Sequence, residues 1–307
     1  MDDEQLTPEK VELLQMNLPL PVDLQLIESS LKAEPLAEGE LWDAPEEFVL
    51  ALSSIPLYSL RVRVWGFLNS IDWARARILT AHEELTDAAR KLKESPKVEQ
   101  LLALVLFVGN YLNGGTSRGR ADGFDLEALP KLAKLRGKGQ GTLLDFVVSQ
   151  AETKLPGLLE GLFAPAGESE VVHRARAHRV QDLLEELKTL IGQAEGFLQE
   201  AQDGAPSSED AQEASHWKAL SARQAQVEQS LAQLRDALDK FGEWDKLYEE
   251  VCTWFSMQDN RQRSSDEFFG LWESFFVDLK KARDSYQREQ LASLRSSRSA
   301  SLPPRRR

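Results

Sequence analysis

Lys131, Lys134, Arg136 and Lys138 fall between Pro130 and Gly139 with no carboxylate among them, and Arg118 and Arg120 precede them in a glycine-rich stretch. Cations grouped in this way attract a partner that carries carboxylates or phosphates. The surrounding chain is acidic, with 50 Asp plus Glu against 37 Lys plus Arg and a net charge of -13. A local basic patch on such a chain steers an acidic partner to one spot and repels it elsewhere. The same cations also suit the solvated last turn of a helix, where the dipole favours positive charge. Composition alone leaves both readings open.

The residues that perform catalysis are not grouped for it. "HEELT" from His82 lacks the second histidine of a zinc-protease helix, and His173, His178 and His216 have no thiolates or acidic cluster at ligand spacing. "RGKGQGT", from Arg136 to Thr142, lacks the Gly-Lys-Ser/Thr order of a phosphate loop and follows no strand. A nucleophile elbow needs a Gly-x-Ser-x-Gly on a strand-to-helix turn, which the chain does not offer. Cys252 is the single cysteine, which excludes an internal disulfide and a multi-thiolate metal site and points to a reducing compartment. We therefore expect no enzyme, cofactor or metal. The acidic balance argues against broad nucleic-acid binding. No apolar run approaches the roughly 18 residues of a membrane span, and "MDDEQLTPEK" is too acidic and polar for a signal peptide, so a cytoplasmic protein is expected.

The elements that would position the patch are helices. At 307 residues, 42% hydrophobic and 28% charged, the chain is long enough for a buried core and for one or two domains. β-Branched alternation is missing and apolar residues recur at three and four, so the predicted class is all-α. Helices are predicted to begin at Thr7-Pro8, near Pro21 and at Asp43-Ala44-Pro45, with a boundary at Pro56. A longer amphipathic helix is expected from about Ile71 to Lys93. Pro96 opens "PKVEQLLALVLFVGNYLN", whose centre is apolar all round and is expected to be buried. Gly114 and Gly115 after Asn113 read as a helix stop, "RGRADGF" as loop, and short helices follow at about Leu126 to Leu135 and from Thr142 to about Ala151. "LPGLLEGLFAPAGESE" reads as a connector.

Beyond His173 the pattern becomes heptad-like. Val180, Leu184, Leu187, Ile191, Ala194, Leu198 and Ala201 form one seam; Trp217, Leu220, Val227, Leu231, Leu234, Leu238 and Phe241 form a second, with Gln224 as its polar exception. "DGAPSSED" separates them, so the two helices are predicted to fold back as an antiparallel pair. The rings from Trp244 to Phe276 at helical spacing are read as core. "LASLRSSRSASLPPRRR", residues 291 to 307, has five arginines and no acid and is expected to be a flexible basic tail.

The succession "LLALVLFVGNYLN", a loop ending "RADGFDLEALPKL", a basic stretch and "TLLDFV" resembles the signature of the formin homology 2 domain, the actin-assembling module of formins, and most of all its formin and cappuccino subgroup. "LTPEKVELLQMNLPLPVDLQLIESS", "PEEFVLALSSIPLYSLRVRVWGFL" and "DEFFGLWESFFVDLKKA" are similar to other parts of that domain, so the resemblance spans roughly residues 5 to 290. It implies an elongated all-α rod over residues 1 to 290 with a remainder of the knob, a post-like subdomain, a coiled-coil-like helix pair and a C-terminal aromatic helix. Gly109, Asn110, Asn113, Gly123, Phe124 and Leu129 would belong to the post. Lys131, Lys134, Arg136 and Lys138 would be its actin-binding cations, with Arg136 where the family usually has a lysine.

In the family a lasso holding tryptophans encircles the post of a partner subunit. The lasso, the linker and the early knob are not matched in this sequence, whose first tryptophan is Trp42. The resemblance therefore implies a cytoskeletal actin binder, weak in nucleation, with a possible homo-oligomer or coiled-coil partner through the heptad segments. A helical scaffold without actin chemistry, and a partial gene model of an ordinary processive formin, are the alternatives.

Overall fold

The computed structural model describes residues 6–33, 43–117, 119–137, 141–205, 211–255 and 264–300. Eleven helices run in chain order among them: α1 (Pro8–Met16), α2 (Pro21–Ala33), α3 (Ala44–Ser53), α4 (Tyr58–Glu94), α5 (Pro96–Leu112), α6 (Leu143–Lys154), α7 (Leu158–Leu162), α8 (Glu168–Arg176), α9 (Val180–Asp203), α10 (Ala211–Trp254) and α11 (Ser265–Ala300). A 3₁₀ turn, Leu126–Lys131, stands between α5 and α6. The only β-type pairing among the described residues is an isolated bridge between Arg136 and Thr142. The chain divides into two compact units, Met1–Leu79 with Leu184–Asp239, and Thr80–Leu183 with Lys240–Arg307.

Prolines at the first helical position open α1, α2 and α5, where a missing N–H costs nothing. Pro56 falls between α3 and α4, next to Leu57 in the left-handed region at φ 55°. α4 begins at Tyr58, well before the predicted Ile71. Leu60, Val62, Val64, Trp65 and Phe67 are buried there, and tertiary burial outweighs the poor helix propensity of the β-branched residues. The stretch expected to be a connector contains α7, whose Leu158, Leu159 and Leu162 are buried.

In the first unit the seam residues Leu187, Ala194 and Ala201 of α9 and Leu220, Val227, Leu231 and Leu234 of α10 are buried. Arg235 of α10 reaches Glu195 of α9 at 2.7 Å. Ala237 is buried where the seam predicted Leu238, and Phe241 at the seam's end is buried as predicted. The pair is not alone. α4 supplies a third wall through Arg63 and Glu200 at 2.6 Å, an edge-on contact of Phe67 with Phe197, and the Arg223 guanidinium over the Trp65 ring.

The second unit is built on rings. Phe268, Phe269, Trp272, Phe275 and Phe276 of α11 are buried, together with Trp244 and Phe255. Trp254 is the exception and is exposed. α11 packs against α6, α8 and the 3₁₀ turn. The helix then continues through Leu291 to Ala300, into residues expected to be a flexible tail; no proline interrupts it before Pro303. Residues 301–307, and Trp42, lie outside the described residues.

Three histidines of this unit tie elements together. His173 pairs with Glu273 and His178 with Glu84, each at 2.6 Å, and His82 Nε2 lies 3.1 Å from the Lys240 carbonyl oxygen. Cys252 is buried, and burial pushes its thiol up from the ordinary range.

A polar knot fixes the start of α5. The Ser95 hydroxyl caps the helix by accepting from the Lys97 and Val98 N–H groups, and donates to the buried Glu168 carboxylate at 2.6 Å. Lys97 Nζ adds a contact to the same carboxylate at 3.3 Å. Burial works to raise the Glu168 carboxyl, but hydrogen bonds from Ser95, its own backbone N–H and Lys97 outweigh it and hold it below the ordinary range. Its contribution is therefore complete above the ordinary carboxylate range and is lost as pH falls through the lowered value. We expect Glu168→Gln to cost about 1–3 kcal/mol at neutral pH in urea unfolding, and to shrink the loss of stability on acidification. Trp272→Ala should cost about 3–5 kcal/mol in the same measurement.

Candidate protein-binding surface

α5 carries an apolar sequence on every side but buries only one face. Val98, Leu101, Val105 and Val108 point into the core, whereas Phe107 is 69%, Tyr111 74% and Leu112 59% exposed. The expectation of an all-round buried helix is corrected here: no described element covers the opposite face, and the apolar surface is left open to water. Such a surface marks contact with another molecule.

The loop after α5 is built by its polar residues. Asn113 ends the helix, its side-chain Nδ2 donating to the Gly109 carbonyl at 2.9 Å. Asn110 acts as a clamp: its Nδ2 donates to the Ala121 carbonyl at 2.9 Å and its Oδ1 accepts the Ala121 N–H at 2.7 Å. The two bonds hold the far end of the loop against the helix. Between them Gly115 has φ +80°, and a Cβ at Gly119 would lie 2.7 Å from the Asn113 carbonyl oxygen. Gly115-Thr116-Ser117-Arg118-Gly119 has the letters of a nucleophile elbow, but it leaves a helix and not a strand, so Ser117 is not held on the sharp turn that chemistry needs.

Gly109 and Gly123 differ from the loop glycines, since a Cβ at either would meet nothing within 4 Å. Phe124 is half-buried. Asp125 then caps the 3₁₀ turn by accepting the Glu127 N–H at 2.9 Å, and Leu126, Leu129 and Leu132 anchor it in the core. Pro130 sits inside this turn, and the expected helix of about Leu126 to Leu135 is a 3₁₀ turn followed by irregular backbone. A capping box between Thr142 and Asp145 starts α6, and the Leu143 N–H donates to the Leu135 carbonyl at 2.8 Å, closing the basic stretch into a loop.

The buried leucines leave the cations outside. Lys131, Lys134 and Arg136 are exposed, and their side chains form no ion pair among the described residues. Lys138, and Arg118 in the preceding loop, lie outside the described residues. The three described cations do not share one cavity. Lys131 and Lys134 line a groove of about 930 Å³ with Arg176, Arg179, Asp266 and Glu267. Arg136 lines another, of about 1250 Å³, with Tyr111, Leu112, Leu135, Phe146 and Tyr286. The first groove is charged; the second is the more apolar of the two, with Arg136, Asp145 and Glu289 as its charged lining.

Arg176 and Arg179 went unnoticed as partners of the lysines, although "HRARAHR" from His173 to Arg179 holds three arginines and no acid. Both are already paired, Arg176 with Glu273 and Arg179 with Asp266 at 3.7 Å. Lys131 and Lys134 are the groove's cations without an ion pair among the described residues, and Glu127 and Asp182 also line it. No group of three or more metal-ligating side chains is present among the described residues, and no single helix among them is long and apolar enough to cross a membrane.

Comparison with known proteins is consistent with this geometry. The family model of the Formin Homology 2 Domain matches residues 1–280. The chain is 34% identical to Formin-G of Dictyostelium discoideum over 157 residues, which is 51% of this chain and 14% of that protein. It is 30% identical to Formin-2 of Homo sapiens over 248 residues, covering 78% of this chain and 14% of the relative. Formin-2 of Mus musculus matches 92% of the chain at 27% identity, over 18% of its own length. The chain thus spans less than a fifth of each of these relatives. With a family model covering nine-tenths of its residues, the chain belongs to the formin homology 2 domain family.

Proposed function

We propose that this chain is a non-enzymatic, actin-binding regulator of filament assembly that docks an acidic surface of actin through Lys131 and Lys134, with Arg136 as a second contact. The observation that carries the reading is the pair of exposed lysines that form no ion pair among the described residues, on a chain of net charge -13. A protein with that balance repels an acidic partner from most of its surface, so the unpaired cations set the orientation of docking. Membership of the formin homology 2 family supplies the partner, and with it a cytoplasmic, cytoskeletal setting. Lys138 and the arginines near the C-terminus add to the salt-sensitive attraction.

The open face of α5 supports a second contact, with another copy of a formin homology 2 chain. Gly109 lies in this helix with no internal steric reason to be glycine, at a cost of about 1 kcal/mol relative to alanine. A bare backbone position beside exposed Tyr111 and Leu112 suits the close approach of a partner segment, the role that the post plays toward a lasso in this family. These 307 residues, assayed by themselves, are expected to nucleate weakly, since one cationic patch engages one actin surface and does not by itself hold two actin molecules together.

Co-sedimentation with filamentous actin across a salt series tests the reading. We expect salt-sensitive binding that Lys131→Asp with Lys134→Asp weakens by about tenfold or more, with a smaller loss from Arg136→Asp. Binding that is absent, or unchanged by these reversals, contradicts the actin site and favours the scaffold reading, in which the heptad surfaces bind another coiled coil. In assembly assays with pyrene-labelled actin, the 307-residue chain alone should leave the lag phase almost unchanged; strong acceleration at nanomolar protein would refute the claim of weak nucleation.

A further inference from the structure

We propose that Ser301 is a phosphorylation site whose modified form is bound by a phosphoserine-reading protein. The stretch Arg298-Ser299-Ala300-Ser301-Leu302-Pro303 carries the pattern, and no Asp or Glu occurs from Gln290 to Arg307. Kinases with an acidic substrate groove select serine by an arginine three residues before it, because the guanidinium forms charge-assisted bonds that orient the hydroxyl. Of the five serines between Leu291 and Pro303, only Ser301 has an arginine at that position; Ser293, Ser296, Ser297 and Ser299 follow Gln290, Ser293, Leu294 and Ser296 at the same distance. Arg295, a further three residues back, adds to the attraction.

The end of α11 gives such an enzyme access. Ala282 is its last buried residue, and every residue from Gln287 to Arg295 is exposed. No described core residue lies beyond Ala282, so a change at Ser301 is expected to leave that core intact. In the transfer itself the Ser301 Oγ–P bond forms as the bond from the γ-phosphorus of ATP to the bridging oxygen breaks; ADP leaves, and the hydroxyl proton passes to the kinase's catalytic carboxylate.

The residues around Ser301 also fit a reader. A phosphate held by an arginine cluster needs an extended peptide, with a small hydroxyl residue two positions before and a turn soon after. Ser299 and Pro303 stand at those positions. A phosphate close to the C-terminal end of a helix is opposed by the helix dipole, which favours unwinding of the last turn of α11 and release of the motif as extended chain. This is the arrangement that 14-3-3 proteins recognise.

The experiment uses the full chain with ATP and the catalytic subunit of cyclic-AMP-dependent protein kinase, maps the phosphate by tandem mass spectrometry, and measures binding to a recombinant 14-3-3 protein by calorimetry. We expect phosphate on Ser301, and binding by the phosphorylated chain that is lost on phosphatase treatment. Ser301→Ala should abolish capture. Pro303→Ala should keep the phosphate but weaken capture by about tenfold, which separates reading of the motif from its modification. Phosphate on other serines with Ser301 bare, or a phosphorylated Ser301 chain that binds no better than the unmodified one, would overturn the proposal.

Discussion

The second unit depends on the burial of one row of rings. Phe268, Phe269, Trp272, Phe275 and Phe276 recur along α11 so that the buried face of the helix is mainly aromatic, and each ring is removed from water. At about 1.5–3 kcal/mol for each buried Phe, this row is the largest local source of stability. α6, α8 and the 3₁₀ turn pack on the same helix. The position of Lys131 and Lys134 therefore follows from where Leu126, Leu129 and Leu132 find their places against the α11 layer. A turn with a proline inside it and few hydrogen bonds of its own cannot hold cations in place unaided.

Charge is distributed to complement that framework. Arg174, Arg176 and Arg179 at the end of α8 each meet a carboxylate, and so hold α8 to its neighbours. The two lysines across the groove meet none. On an acidic molecule an unpaired cation is where an anionic partner gains most, because docking there does not first have to break an internal ion pair. The open face of α5 is the apolar counterpart. Its exposed Tyr111 and Leu112 lie in a trough of their own, with Arg136 at the rim.

Much of this was legible in the chain. Helix starts followed from prolines and capping residues, and the two seams from heptad spacing, because those signals are local. The family followed from the Gly-Asn-aromatic-x-Asn and Gly-Phe signature, and Asn110 and Asn113 each bond backbone that a shorter or apolar side chain would leave unsatisfied. What stayed hidden depends on long-range packing. α4 begins thirteen residues before its predicted start because α1, α9 and α10 bury that stretch, and its own residues favour strand as much as helix. α7 was read as connector because five residues are too few for a periodic signal. The exposed side of α5 was hidden for the opposite reason, since an apolar residue reads the same whether its neighbour is the core or an absent partner. Arg176 and Arg179 lie over forty residues from the lysines they accompany, a distance at which spacing carries no information.

The most direct test of the account is lysine footprinting: brief acetylation of the full chain with and without saturating filamentous actin, followed by peptide mass spectrometry. Lys131 and Lys134 should react readily in the free protein and be protected by actin, while Lys188 on exposed α9 surface keeps its reactivity. Equal reactivity of Lys131 and Lys134 in the presence and absence of bound actin would contradict a docking site on this groove.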